Sequence, residues 1–161
     1  MIGFEFSSEQ KLIQQSIREF AKKELVPLVR IIDDNQKIPS YIIKKMAELG
    51  ILVMNFTQDY GGSNADPVFC GIVAQELARW DISCAIFTFF LVECAWGYIL
   101  EKYGTEKIKN SIVSKVTLDK IFLGIAATKP DAGSDLANIR AVARKLGNKY
   151  VISVRRHLSA E

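Results

Sequence analysis

The chain has 161 residues, of which 49% are hydrophobic and 24% are charged. This is the composition of a globular protein, and the length suffices for one sizeable core and the beginning of a second unit. The 21 basic and 18 acidic residues are interspersed and leave a formal charge of +3, without the dense basic stripe of a nucleic-acid binder, so nucleic acid is not expected as a partner.

Cysteine usage and the first residues bear on the cellular compartment. Cys70, Cys84 and Cys94 are odd in number and lie in apolar surroundings, which favours reduced structural thiols over a disulfide framework. The opening MIGFEFSSEQ lacks the basic and then apolar pattern of a signal peptide. These features predict a cytoplasmic protein.

The first two helices are predicted from apolar spacing and end signals. Ser7 and Gln10 can form a capping box, and the apolar residues after them recur at helical spacing. A long amphipathic helix should therefore start near Ser8. The stretch PSYIIKKMAELG predicts a short second helix that ends at Gly50, since glycine accepts the left-handed conformation that stops a helix.

Three more helices are predicted before residue 120. Asp66 can cap a third helix whose first position is Pro67. Residues 82–100 form an apolar stretch that is almost long enough to span a membrane, but Glu93 lies inside it and no basic flank precedes it. These features favour a buried helix over a membrane span. Thr105 can cap a fifth helix.

The period of the apolar pattern changes from about residue 120. The stretches KIFLGIAAT and RAVARKL predict short strands, GNK a turn and YVIS another strand. The predicted fold class is mainly α: a bundle of about five helices followed by a few strands of an incomplete β domain. We expect a helical domain over residues 1–119 and part of a β domain over residues 120–161, with an atypical tail from residue 154.

Several motifs occur together and in a fixed order. They are FSSEQ, REFAKKELVP, MAELGI, DYGG, AQELARWDIS, EKYGTEKIK and, above all, AATKPDAGSDLANIRAVARKLGNKYVIS. Through them the chain resembles the acyl-CoA dehydrogenases from about Phe6 to Ser153. The pattern T-x-P-x-A-G-S-D after a helical domain and before paired strands is the most specific of these signals.

The resemblance implies a fold, a reaction and partners. Members of the family oxidise acyl-CoA thioesters to 2-enoyl-CoA with bound FAD, which takes a hydride from the β-carbon while a glutamate removes an α-proton. They have an N-terminal helical domain, a middle β-barrel domain and a C-terminal four-helix domain that supplies the glutamate, and they commonly form homotetramers. The expected partners are an acyl-CoA substrate and either further copies of the chain or a separately encoded C-terminal half.

The segment IAATKPDAGSD is the candidate cofactor site. Small residues let a flat ring approach the backbone, and Thr128 offers a hydroxyl. By resemblance, Ser134 would approach the CoA substrate. The alternative for DAGSD is an ordinary β-turn with an aspartate cap. Lys129 departs from the glutamate usual in the family. By resemblance, the flavin-contacting residues would be Ile125, Ala126, Ala127 and Thr128.

Other candidate sites receive less support from the sequence. His157 is the only histidine, so neither a histidine-based triad nor a multi-histidine metal site is expected, and the cysteines lack paired ligand spacing. Glu93 has two interpretations: a buried acid with a raised pKa, or a side chain that faces a polar neighbour or the acyl groove. We therefore assign no catalytic residue and no metal ligand.

The last residues depart from the family pattern. The residues VRRHLSAE can be back-translated with codons that, read one base earlier, encode the continuation that the family has after YVIS. A single-base frameshift near codon 154 is our hypothesis, with a deliberate truncation ending in vector residues and a short natural protein as alternatives. The 161 residues alone are then expected to be inactive. A flavin-free helical module for interaction or dimerisation is the alternative function.

Overall fold

The computed structural model describes residues 5–117, 121–124 and 141–153. The chain divides into two compact units, Met1–Gly124 and Ile125–Glu161. The described part of the first unit is helical, and that of the second is a β-hairpin. Its elements are α1 (Ser8–Phe20), a π-helical turn (Ala21–Leu25), α2 (Val29–Asn35), α3 (Ser40–Glu48), a 3₁₀ turn (Gln58–Tyr60), α4 (Pro67–Trp80), α5 (Ala85–Tyr103), α6 (Glu106–Thr117), β1 (Val142–Leu146) and β2 (Lys149–Ser153).

Helix α1 begins with the predicted capping box. The Gln10 amide N–H donates to Ser7 Oγ over 3.1 Å, and the Ser7 amide donates to Gln10 Oε1 over 2.9 Å. The start at Ser8 is therefore confirmed. The helix is shorter than the apolar pattern suggested, because a π-helical turn follows Phe20. Pro27 has no amide N–H to donate the next helical hydrogen bond, and a separate helix, α2, begins at Val29.

The ends of α3 and α4 also agree with the sequence signals. Gly50, just after α3, has a φ of +69°. Asp66 caps α4, with its Oδ1 accepting from the Val68 amide over 2.7 Å and the Phe69 amide over 3.0 Å. Pro67 occupies the first helical position, where its missing N–H costs nothing. Both end assignments are confirmed.

Helix α5 is capped by an aspartate that lies four residues before it. Oδ2 of the buried Asp81 accepts from the Ile86 amide over 2.7 Å and from the Phe87 amide over 3.1 Å. Amides in the first turn of a helix have no acceptor within the helix, so the bonds from Ile86 and Phe87 to Asp81 determine where α5 begins. Within the described parts of the chain, none of the helices combines the length and apolarity needed to cross a membrane.

One ion pair joins α1 to α4 inside the helical unit. Glu76 is fully buried, and Arg18 donates to both of its oxygens, from Nη2 over 2.8 Å and from Nε over 3.0 Å. The side-chain hydrogen bond and the charge of Arg18 hold the pKa of Glu76 below its ordinary value, against the opposing effect of burial. This bidentate pair fixes the alignment of the two helices.

The helical unit has two apolar clusters. In the smaller one, the fully buried Phe56 packs with Val53, Val113 and Val116. A β-carbon added at Gly97 on α5 would lie 2.7 Å from Phe56 Cζ, so the ring occupies the space that a side chain at Gly97 would need. The larger cluster joins α1, α3, α4 and α5, and its members include Ile17, Phe20, Leu25, Ile42, Met46, Val73, Leu77, Ile86 and Phe90.

The β-hairpin lies in the second unit. Strands β1 and β2 pair antiparallel, with Val142 opposite Ser153 and Leu146 opposite Lys149. Gly147 in the connecting turn has a φ of +59°. These two strands and their turn confirm the strands predicted for RAVARKL and YVIS and the turn predicted between them. A strand was also predicted over KIFLGIAAT. Residues 121–124 of that stretch are not part of a strand, and the rest of it lies outside the described residues.

Candidate functional site

The residues predicted to contact the cofactor and substrate lie outside the described part of the chain. These residues are Ile125, Ala126, Ala127, Thr128 and Ser134. The structure does describe the four residues that lead to them, at positions 121–124, and these belong to the helical unit. The described part of the candidate site therefore consists of that segment and the helix that holds it.

Glu93 of α5 anchors this segment. The Leu123 amide donates to Glu93 Oε1 over 2.7 Å. One residue earlier, the Phe122 ring packs edge to face on Phe89 of α5, with 5.3 Å between the ring centroids and 74° between the planes. The carboxylate and the aromatic pair together hold the chain against α5 directly before Ile125.

The environment of Glu93 changes its acid–base behaviour. Its side chain is fully buried, and burial raises the pKa of the carboxyl to about 7, while the hydrogen bond from Leu123 opposes this rise. Oε2 is buried and has no hydrogen-bond partner among the described residues. Near neutral pH the group can thus accept a proton on Oε2 and become a donor. The structure unites the raised pKa with a polar neighbour, two properties that the sequence analysis treated as alternatives.

The stability of the protein should depend on pH through Glu93. Its pKa of about 7 in the folded state exceeds the ordinary value of 4.5, so the folded state binds an extra proton between these values. Unfolding free energy should therefore fall as pH rises from about 4.5 to about 7. Glu93→Gln should flatten this decline, as measured by urea denaturation at several pH values.

A matched substitution separates this effect from a general loss of charge. Glu48→Gln removes a carboxylate that is 63% exposed at the end of α3, and it should keep the decline seen in the wild-type protein. An equal decline in the Glu93→Gln variant would show that Glu93 does not bind the extra proton.

A groove of about 720 Å³ runs along α4 and α5. Its walls are mainly apolar. Small residues of both helices leave the space between the larger side chains. Asn55 contributes a polar group: its Nδ2 donates to the Cys94 carbonyl over 2.8 Å, while its Oδ1 is buried without a partner among the described residues. An apolar ligand with one hydrogen-bond donor would suit this groove. Residues that line it include Asn55, Cys70, Ala74, Phe90, Leu91 and Cys94.

Sequence reasoning missed Asn55, and it did not show that Cys70 and Cys94 line the same groove. Asn55 lies in a connector, where a polar residue is unremarkable, so no local signal separated it from its neighbours. The two cysteines are 24 positions apart on different helices, and only the packing of α4 on α5 brings them to one groove. Within the described ranges, no group of three or more histidine, cysteine, aspartate or glutamate side chains is placed to hold a metal ion.

Comparison with known proteins matches the helical unit to one family. The model of the acyl-CoA dehydrogenase N-terminal domain matches residues 7–118. A probable acyl-CoA dehydrogenase of Bacillus subtilis is 28% identical over 152 residues, which cover 94% of the chain and 40% of that protein. The short-chain-specific acyl-CoA dehydrogenase of Clostridium acetobutylicum is 29% identical over 153 residues, with the same coverage of 94% and 40%.

Solved structures have the same fold. A glutaryl-coenzyme A dehydrogenase in complex with glutaryl-CoA superposes with a TM-score of 0.85 at 28% identity, covering 94% of the chain and 39% of that structure. An acyl-CoA dehydrogenase from Geobacillus kaustophilus gives 0.83 at 29% identity, covering 96% and 40%. The chain thus spans about 40% of the length of the curated relatives it matches.

Proposed function

The chain belongs to the acyl-CoA dehydrogenase family through its N-terminal domain, and from this premise we propose that it serves in the flavin-dependent α,β-dehydrogenation of acyl-CoA thioesters. The observation that carries the proposal is the attachment of residues 121–124 to α5 through Glu93 and Phe89. This attachment fixes the chain at the start of the segment that would meet the flavin. The relatives are named as dehydrogenases of acyl-CoA and glutaryl-CoA, which supports the same substrate class here.

FAD is the proposed cofactor by the family resemblance. Directly before its predicted segment, a β-carbon built on Gly124 would meet nothing within 4 Å, so no described side chain crowds the backbone at that residue. Ile125, Ala126, Ala127 and Thr128 would hold the flavin. When bound, FAD would supply the hydride acceptor for the β-carbon of the substrate.

The remaining roles are assigned to this chain's own residues. Helix α5 would border the acyl chain with its aromatic residues, and Ser134 would approach the CoA part of the substrate. Glu93 would act as a positioning residue, since its carboxylate holds the Leu123 amide. We infer a helical domain over residues 1–119 and the start of the middle β domain over residues 120–161, whose residues 121–124 pack with the helical unit.

Catalysis by these 161 residues alone is not expected. The resemblance assigns the catalytic glutamate to a C-terminal domain, and the chain spans about 40% of its curated relatives. Activity would require the rest of the dehydrogenase, supplied as a separate half or within a longer chain. The frameshift near codon 154 and the homo-oligomer both stay predictions.

Flavin binding can be tested on the chain as it is. We expect titrated FAD to lose fluorescence on binding, and Ala126→Leu to weaken this binding at least tenfold because the larger side chain blocks the approach of the ring. The measurement is a fluorescence titration with purified protein, accompanied by a dye-reduction assay with acyl-CoA. The dye should stay oxidised when the 161 residues are used alone.

Ala143→Leu provides the matched control, because it makes the same change on the exposed strand β1. It should bind FAD as the wild-type chain does. If the wild-type chain leaves FAD fluorescence unchanged and has a defined dimer mass, the flavin-free helical module becomes the better account. Dye reduction by the chain alone would contradict the proposed need for the rest of the enzyme.

A further inference from the structure

A partly exposed segment covers the buried carboxyl group of Glu93. Residues 121–124 lie against α5, where the Leu123 amide donates to Glu93 Oε1 over 2.7 Å and the Phe122 ring packs edge to face on Phe89. Phe122 is 45% exposed, whereas Glu93 is fully buried. The segment thus lies between this carboxyl group and the solvent.

The surroundings of Glu93 suit a neutral carboxyl group. Oε1 accepts one described hydrogen bond, and Oε2 is buried without a partner among the described residues. An ionised carboxylate can accept roughly four hydrogen bonds, so a single donor leaves most of its acceptor sites unsatisfied. Burying a charge in this way is costly. Burial accordingly raises the pKa of Glu93 to about 7.

No charged side chain of the described residues offsets the cost of ionising Glu93. Burial and the backbone hydrogen bond are the causes that act on its pKa. The buried charge of α4, Glu76, is paired with Arg18 and is not among these causes. Residues 121–124 carry no ionisable side chain. The charge of Glu93 helps to raise the pKa of the Cys94 thiol beside it, so Cys94 supplies no compensating charge.

We propose that Glu93 is a pH-sensitive latch: its protonated carboxyl group holds residues 121–124 against α5, and its ionisation releases this segment to solvent. Release would hydrate the carboxylate at little cost in packing, since Phe122 is already exposed. The segment is the last part of the helical unit, so its release would free the chain directly before residue 125. The proposal does not depend on flavin or acyl-CoA binding.

The direction of the latch follows from two pKa values. The carboxyl group has a pKa of about 7 when the segment covers it, and hydration should return it toward the ordinary value of 4.5. The covered form therefore binds the proton more tightly. Attachment of the segment should be strongest below about pH 4.5, weaken as pH rises to about 7 and change little above that.

Hydrogen exchange of the Leu123 amide in the full chain measures this attachment. Each exchange rate is compared with the intrinsic rate at the same pH to give a protection factor. We expect this factor to fall roughly tenfold or more between pH 5 and pH 8. The amide of the fully buried Leu77 in α4 is the reference and should be protected more strongly at each pH. Low urea concentrations should accelerate exchange at Leu77 but not at Leu123, because local release exposes little surface.

Two substitutions assign the effect to Glu93 and to the segment. Glu93→Gln keeps an acceptor for the Leu123 amide but cannot ionise, so the protection factor should no longer depend on pH. Phe122→Ala removes the contact with Phe89 and should lower protection at every pH while keeping its fall between pH 5 and pH 8. A pH-independent protection factor in the wild-type protein, or an equal fall in Glu93→Gln, would overturn the proposal. Equal protection and equal urea dependence at Leu123 and Leu77 would also overturn it, because release would then require unfolding of the whole unit.

Discussion

Replacing Gly97 by alanine is expected to destabilise the helical unit by about 2 to 3 kcal/mol. The added methyl group would lie 2.7 Å from Cζ of Phe56, and that ring is fully buried within an apolar cluster. Neither the rigid ring nor the backbone of α5 can move away without disturbing the packing around it. Urea denaturation followed by circular dichroism at 222 nm would measure the loss.

Gly71→Ala is the matched control for this substitution. Gly71 also lies inside a helix, but a β-carbon there would meet nothing within 4 Å. Alanine should stabilise α4 by about 0.5 to 1 kcal/mol, because glycine is the weaker helix former. Phe56→Leu should relieve part of the Gly97→Ala cost, so that the double variant is more stable than the sum of the single effects predicts. Equal effects at Gly97 and Gly71 would exclude the steric explanation.

Removing Arg18 is expected to lower the folded-to-unfolded ratio roughly a hundredfold, the order of magnitude for leaving a buried charge without its partner. In Arg18→Met the fully buried Glu76 carboxylate would lose both hydrogen bonds of the bidentate pair. Arg79→Met is the control: its Nε is 3.9 Å from Glu76 and its side chain is half exposed, so its loss should change stability little.

The same pair determines how acid affects the protein. Arg18 holds the pKa of Glu76 below its ordinary value of 4.5, so the pair stabilises the fold above that pH and loses this effect as pH falls through the lower folded-state pKa. Arg18→Met should therefore show a smaller further loss on acidification than the wild-type protein. Combining it with Glu76→Met should restore part of the stability, since no unpaired carboxylate then remains buried between α1 and α4. A double variant less stable than Arg18→Met would contradict this account.

Local signals predicted the helix ends well because each end is determined by neighbouring residues. The Ser7 box, the Asp66 cap with Pro67 and the Gly50 stop depend on hydrogen bonds or dihedrals within a few positions. The paired strands of the hairpin were predictable for the same reason. The π-helical turn after Phe20 was not, because the apolar spacing continues through it and Pro27 marks the break only indirectly.

Contacts between distant residues could not be predicted from the sequence. The meeting of Arg18 with Glu76 depends on how α1 packs on α4, and apolar periodicity does not determine this alignment. Sequence reasoning selected Glu93 because a carboxyl stands out in an apolar helix, but its partner Leu123 is 30 positions away. The cofactor residues were predicted from resemblance and lie outside the described residues, so they stay predictions.

The contact between Phe56 and Gly97 also limits which substitutions these two positions can accept during evolution. A side chain larger than hydrogen at position 97 requires space that the ring at position 56 fills. A change at either position would then be acceptable mainly in lineages where the other has already changed. We expect the two positions to co-vary among descendants of this gene, although they lie 41 positions apart along the chain.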